Sequence, residues 1–277
     1  MRLASFLTAN GPSYGIVRED GIVDLGARLG GDLRGILAEG LERPRELAEE
    51  PADLHLKGLR WLPLIPNPGA IYCVGLNYRA HVEEVGRPLG DWPTVFLRVP
   101  PSQTGHLAPI VRPRVSEQLD FEGELAAVIG RPGRHIEPAT ALEHIAGYSL
   151  YNDGSVRDWQ RHSAQYTAGK NFAATGAFGP WLVTGEEAGD PSRLELTTRL
   201  NGEVVQHAPL SELIFTIPQI VAYISTFSQL EPGDVIVTGT PAGVGAGREP
   251  KLWLRAGDTI EVEVPGIGTL RNPIVDE

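Results

Sequence analysis

A chain of 277 residues, 42% of them hydrophobic, can bury the core of one large domain or of a large domain with a small companion. Its 24 basic against 35 acidic residues give a formal charge of −11, which argues against nucleic acid or an anionic membrane surface as partner. Cys73 is the single cysteine, which excludes an intrachain disulfide and a cysteine-based metal site, and no apolar run reaches the roughly 18 residues that span a bilayer. The N-terminal residues lack the apolar core and cleavage site of a secretory leader, so a soluble cytoplasmic protein is expected.

The first segment reads as short strands over Arg2–Thr8 and residues 14–18 and 22–25, with turns at Asn10-Gly11-Pro12 and Asp20-Gly21. A polar helical stretch over residues 33–50 follows, and Pro63-Leu64-Ile65-Pro66-Asn67-Pro68-Gly69 has the composition of a linker. This predicts a small N-terminal domain over residues 1–65 and a main domain over residues 66–277. The main domain opens on the apolar strand Ala70-Ile71-Tyr72-Cys73-Val74, where Cys73 is expected to be a small core residue. A short helix then runs between Asn77 as N-cap and Gly86 as stop. It carries His81 and Glu84 at i and i+3, on one face. A carboxylate in that position orients an imidazole and raises its basicity, as a general base requires.

Asp120-Phe121-Glu122-Gly123-Glu124 leads into the apolar run Leu125-Ala126-Ala127-Val128-Ile129, and strand alternation places Asp120, Glu122 and Glu124 on one face. Side by side, three like charges call for a positive partner, so the stretch is either a divalent-cation site or a polar edge strand facing water. Farther along, the apolar lead-in Gly147-Tyr148-Ser149-Leu150-Tyr151 breaks at Asn152-Asp153-Gly154 and the pattern resumes with helical spacing. Asp153 is thereby placed at a strand end or helix start, as a plain N-cap or as a third carboxylate for the metal. Oxygen-only ligands suit Mg²⁺, Mn²⁺ or Ca²⁺ rather than zinc.

Residues 194–200 and 203–206 form the clearest hairpin, joined by Asn201-Gly202, a pair suited to a type I′ turn. Residues 217–227 read as a helix with Pro218 in its first turn and an apolar face of Ile220, Val221, Ile224 and Phe227. Strands over residues 235–238, 259–264 and 270–274 close the chain. Two glycine patterns carry no nucleotide site: Gly243-x-Gly245-x-Gly247 has the wrong spacing for a dinucleotide fingerprint, and Gly169-Lys170 lacks the leading glycine and following hydroxyl of a P-loop.

Seven segments in order resemble the fumarylacetoacetate hydrolase family from about residue 71 onward, in its acylpyruvase and 2-hydroxyhepta-2,4-diene-1,7-dioate isomerase-like members. They are residues 75–81 with Glu84, Pro93-Thr94-Val95-Phe96-Leu97-Arg98, residues 119–125, residues 152–160, Gly169-Lys170-Asn171-Phe172, Gly179-Pro180-Trp181-Leu182-Val183-Thr184, and residues 230–245 with Thr238-Gly239-Thr240-Pro241. The resemblance implies an α+β, mostly β fold: a large mixed β-sheet roll beside the small N-terminal unit. It implies Glu122, Glu124 and Asp153 as ligands for Mg²⁺ or Mn²⁺, with Asp120 behind them, and His81 with Glu84 as a water-activating dyad. By the same comparison Lys170 supports developing negative charge, while Tyr78, Arg98, Arg157, Gln160 and Thr240 line the substrate site. A homodimer is implied as well, and residues 83–91 could form a lid. Arg98 stands where many members carry lysine, and Asn171-Phe172-Ala173 replaces the common Ser-Phe-Asp, which removes one acid from the rim.

These features point first to metal-dependent hydrolysis of a carbon–carbon bond in a 1,3-diketone acid of the acylpyruvate or fumarylpyruvate type. The alternative keeps the same site for isomerisation, hydration or decarboxylation of a 2-keto or 2-hydroxydienoic acid or of oxaloacetate. A third reading, a non-catalytic β protein with a structural Ca²⁺, leaves His81, Glu84 and Lys170 idle. The expected partner is a small anionic keto acid, whose approach to an acidic protein requires local positive charge in the pocket.

Overall fold

The computed structural model describes residues 1–277. The chain opens with three antiparallel strands, β1 (Arg2–Thr8), β2 (Gly11–Arg18) and β3 (Gly21–Asp24). The main domain contributes β4 (Ile71–Gly75), helix α1 (Arg79–Glu84), β5 (Thr94–Arg98), β6 (Gly123–Ile129), β7 (Ile145–Asp153) and β8 (Gly176–Thr184). The hairpin β9 (Glu195–Leu200) and β10 (Glu203–Pro209) follows, then helix α2 (Ile217–Phe227), β11 (Val235–Val237), β12 (Thr259–Val264) and β13 (Gly268–Asp276). One mixed sheet runs β3-β2-β1-β8-β7-β6-β11-β4-β5, and a second runs β10-β9-β12-β13 with Ile110–Arg112 at its edge. The result is the expected α+β architecture dominated by mixed sheet, and no helix is long and apolar enough to cross a membrane.

The large sheet lies between two cores, and alternation shows how. On β6, Leu125, Ala127 and Ile129 pack into the cluster that holds α2 and the second sheet, whereas Ala126 and Val128 face the opposite cluster with Leu33, Ile36, Leu64 and Ile65. β4 divides in the same way, with Tyr72 and Val74 on one side and Ile71 and Cys73 on the other. Strands buried on both faces read as continuous apolar runs, which is why these segments were legible. The buried Cys73 has the expected core role.

Several expectations are revised. The N-terminal strands do not form a sheet of their own: β1 pairs with β8 (Arg2↔Val183, Leu3↔Leu182) and extends the main sheet across the boundary expected at residue 65. The Pro-rich passage is packed, with Leu64 and Ile65 buried and the Ser5 hydroxyl donating to Leu64 O. The helical stretch over residues 33–50 is two helices, Leu33–Glu39 and Glu42–Glu46, broken where Gly40 takes φ +101°. Asn77 caps nothing; its buried amide donates to Phe215 O and Thr238 O and accepts from Phe215 N, which ties the start of α1 to α2 and the end of β11. Gly86, at φ +64°, follows α1 as expected of a stop signal.

The hairpin and α2 conform. Asn201 and Gly202 both have positive φ (54° and 86°), as a type I′ turn demands. In α2 the Thr216 N–H donates to Gln219 Oε1 and Pro218 sits in the first turn. Ile220, Val221 and Ile224 are buried, but Phe227 stays exposed against Tyr223.

His106 packs edge-on against Trp61 and accepts from Arg271 N through Nδ1; burial, and then the Arg271 charge, push its pKa down to about 4. An unfolded histidine titrates near 6.5, so the native state binds fewer protons between those values. The contribution is complete above about pH 6.5 and is lost as the pH falls toward 4, by about 2–3 kcal/mol. Urea unfolding from pH 7 to 4 should show this decline. A His106→Gln variant that kept the full decline would show that other groups cause it.

Candidate active site

The carboxylates come together through sheet register. Gly123 pairs with Asn152 and Glu124 with Tyr151, so Glu124 and Asp153, two residues past Tyr151, share one face of adjacent strands. Glu122 lies just before β6, its N–H donating to Asn152 Oδ1 and its carbonyl accepting from Asp153 N. Gly123 is required by close packing, because a Cβ there would lie 2.0 Å from Thr198 Oγ1. One oxygen from each of Glu122, Glu124 and Asp153 falls within 4.8 Å of the others, and all three residues are buried.

Asp120 does not share that face. Leu119–Asp120 pairs with Ser155–Val156 in a separate ribbon, and the strand breaks at Phe121-Glu122 before β6 begins. The Asp120 carboxylate instead accepts from the N–H groups of Phe121, Gly245 and Ala246 and from Arg157 Nε at 2.8 Å.

Three buried cations, Lys170, Arg157 and Arg98, balance the acids. Lys170 Nζ lies 2.6 Å from Glu122 Oε2 and 2.5 Å from Asp153 Oδ2. Arg157 Nη1 lies 2.6 Å from Glu122 Oε1. Burial alone would raise the Glu122 pKa, but Lys170 and Arg157 outweigh it and hold the group at about 2. Burial also opposes the Lys170 ammonium, yet Asp153 and Glu122 more than offset that and raise its pKa. Glu124 differs: burial, then the charges of Asp153 and Glu122, push its pKa well up, and its partner is the Gly239 N–H. A buried carboxylate opposed by two like charges and in direct ion-pair contact with no cation, within an all-oxygen donor set, fits a hard divalent ion such as Mg²⁺ or Mn²⁺.

His81 Nδ1 and Glu84 Oε2 are 3.0 Å apart, and Glu84 Oε1 accepts from Gly243 N at 2.9 Å. A carboxylate only accepts, so in the neutral ring Nδ1 carries the proton and Nε2 is the atom free to exchange one. The dyad, Glu122 and Glu124 open onto one cavity of about 970 Å³, lined also by Arg157, Gln160, Lys170 and Thr240, while Asp153 is buried behind its wall. Val85 and Arg87, from the segment expected to act as a lid, line it too.

Two expected substrate contacts lie elsewhere. Arg98 is buried behind the carboxylates, donating from Nη1 to Asp153 Oδ1 at 2.5 Å and to Gly154 O, and from Nη2 to Thr175 Oγ1. Tyr78 is buried in the apolar cluster with α2 and is not part of the cavity wall. Thr240 lines the cavity, but its hydroxyl donates to Gly123 O and accepts from Gln206 Nε2. Sequence reasoning missed Gln206, whose Oε1 accepts from Gly123 N, and also Tyr166, Arg161, Lys251 and Trp253 on the cavity wall. A polar residue facing inward from a strand was the signal available for Gln206; the others sit in segments without periodicity.

The fumarylacetoacetate (FAA) hydrolase C-terminal model matches residues 70–275. Oxaloacetate tautomerase fahd2, mitochondrial, of Xenopus laevis is 36% identical over 99% of this chain and 90% of its own length. The crystal structure of 2-hydroxyhepta-2,4-diene-1,7-dioate isomerase from Mycobacterium marinum superposes with TM-score 0.77 at 33% identity, covering 100% of this chain and 99% of that one. Maleylpyruvate hydrolase from Sphingobium sp. SYK-6, in complex with manganese(II) ion and pyruvate, gives TM-score 0.83 at 27% identity, again over 100% and 99%. The motif order, the sheet and the full-length matches agree, and the chain belongs to the fumarylacetoacetate hydrolase family.

Proposed function

We propose that this chain is a metal-dependent enzyme that interconverts the enol and keto forms of a short 2-keto dicarboxylate of the oxaloacetate type. The observation that carries the reading is the histidine held through Nδ1, with Nε2 free, in the same cavity as the carboxylate–lysine cluster. Similarity to an oxaloacetate tautomerase over 99% of the chain supports this reaction ahead of carbon–carbon hydrolysis. Glu122, Glu124 and Asp153 would hold Mg²⁺ or Mn²⁺, which supplies Lewis-acid polarisation of the 2-keto oxygen when bound.

The chain's own groups then handle charge and protons. Lys170 keeps a fixed positive charge at the carboxylates, where it favours negative charge developing on an enolate oxygen. In the keto-to-enol direction His81 Nε2 takes a proton from C3, and the enolate oxygen is protonated from the same atom; the reverse direction runs these transfers backward. Glu84 holds the ring through both steps.

A second reading, hydrolysis of a diketone acid, is favoured by the room in the cavity, which at about 970 Å³ exceeds what a four-carbon acid fills. Proton NMR with Mg²⁺, beside an EDTA control, separates the two. Faster enol–keto equilibration of oxaloacetate with no cleavage of acetylpyruvate or fumarylpyruvate is the expected result. Pyruvate plus the matching carboxylic acid from either diketone would establish hydrolysis instead, and pyruvate from oxaloacetate at a rate above the protein-free control would establish decarboxylation.

A further inference from the structure

We propose that the glycine-rich segment over residues 239–247 is the positioning element of the site, and that Gly247 sets the place of the Glu84 carboxylate. The inference rests on the reading of His81 and Glu84 as the proton-handling dyad. Four backbone N–H groups of this one segment end on three different carboxylates. Gly239 N donates to Glu124, Gly243 N to Glu84, and Gly245 N and Ala246 N to the two oxygens of Asp120, which in turn holds Arg157. The segment therefore joins the dyad to the carboxylate cluster without contributing a charged side chain of its own. Successive N–H groups pointing into a concave turn favour the ionised form of each acid that they meet.

The glycines are there because nothing larger fits. A Cβ at Gly243, where φ is +107°, would lie 2.1 Å from Val205 O, and one at Gly245 would lie 1.7 Å from Leu252 O. Both clashes are with backbone. Gly247 is different: its φ is not in the left-handed range, and a Cβ there would meet Glu84 Oε1 at 2.3 Å, Cδ at 2.4 Å and Cγ at 2.6 Å. These atoms are the flexible end of one side chain. Gly247→Ala therefore keeps the backbone and pushes the Glu84 carboxylate off the line between Gly243 N and His81 Nδ1.

The experiment compares wild type, Glu84→Ala, Gly247→Ala and the double variant. His81 is followed by ¹⁵N NMR, and turnover of enol oxaloacetate with Mg²⁺ is resolved into kcat and KM. Gly247→Ala should move the His81 Nδ1 signal toward its position in Glu84→Ala and lower kcat by about 100-fold with KM little changed, the effect of misplacing a reacting group. The added methyl should do nothing further once Glu84 is gone, so the double variant should match Glu84→Ala. A wild-type His81 signal and kcat in Gly247→Ala, or multiplied losses in the double variant, would overturn the proposal.

Hydrogen exchange gives an arm that does not depend on Gly247→Ala folding. Removing Glu84 should speed exchange at Gly243 N by about tenfold or more, the worth of a hydrogen bond to a charged acceptor, and leave Gly245 N and Ala246 N protected by Asp120. Unchanged protection at Gly243 would also overturn it. Wild-type turnover in Glu84→Ala, with the His81 signal still shifted in Gly247→Ala, would remove the functional reading while upholding the positioning role.

Discussion

Replacing Glu124 with glutamine is expected to make the metal-free protein more stable and to abolish tight Mn²⁺ binding. The two effects share a cause. Burial and the neighbouring charges of Asp153 and Glu122 disfavour the ionised Glu124 carboxyl, which is why its pKa lies well above the ordinary value. Glutamine keeps an oxygen for the Gly239 N–H and turns an amide donor toward the neighbouring carboxylates. A gain of about 1 kcal/mol would raise the melting temperature by about 2–4 °C in a chain of this size. With Glu122, Glu124 and Asp153 as the proposed ligands, loss of one of them should weaken Mn²⁺ by more than the 10- to 100-fold typical of losing an outer partner, roughly 100-fold or beyond. Calorimetric titration and thermal melts in EDTA measure both quantities. A variant with lower stability and wild-type affinity would show that the carboxylate is structural.

Arg98→Met should do the opposite to stability. Every arm of this guanidinium is engaged: Nε on Ser102 Oγ, Nη1 on Asp153 Oδ1 and Gly154 O, Nη2 on Thr175 Oγ1. Gly176 makes room for it, since a Cβ there would lie 2.7 Å from Nη2. Removing Arg98 strips Asp153 Oδ1 of its partner while Lys170 still holds Oδ2, so the expected loss lies at the lower end of that for a broken buried ion pair, about 3 kcal/mol by urea unfolding. Arg98 also occupies Asp153 Oδ1, leaving Oδ2 turned toward Lys170. Its removal should weaken Mn²⁺ by about 10- to 100-fold. Lysine at position 98 should recover only part of either loss, having three donors in place of a five-donor fork. Unaltered stability and Mn²⁺ affinity in Arg98→Met would refute the assignment.

The parts of the molecule legible in the sequence are those whose signal is local. Pro218 marks the start of α2, and Asn201-Gly202 dictates a turn with two positive φ angles. The carboxylates were visible because like charges spaced two apart before an apolar strand demand an explanation. What stayed hidden depends on partners far along the chain. Alternation runs unbroken through Asp120, Glu122 and Glu124, and only the pairing of Leu119–Asp120 with Ser155–Val156 reveals the break at Phe121-Glu122. Whether Arg98 points at a ligand or away from it is fixed by Asp153 and Thr175, neither of them near it in sequence. The apolar Phe227 completes a helical stripe in pattern, yet no element lies over it. The glycines of residues 239–247 look like a failed nucleotide motif until their N–H groups are seen to end on acids.

The parallel pairing of β4 with β11 aligns Ile71, Tyr72 and Cys73 with Val235, Ile236 and Val237. The adjoining Ala70–Asp234 hydrogen bond spans 164 positions. That closure carries α1, which follows β4, up to the segment that follows β11. A contact across so long a loop carries a large entropic penalty and forms slowly compared with a hairpin such as β9–β10. The β6–β7 pairing that brings Glu124 and Asp153 together joins neighbouring strands, whereas Glu84 meets Gly243 N only across the long closure. On the proposed role of His81 and Glu84, chemical competence is thus an attribute of the finished topology, and an excised fragment that separates residues 71–84 from residues 235–247 is expected to lose it.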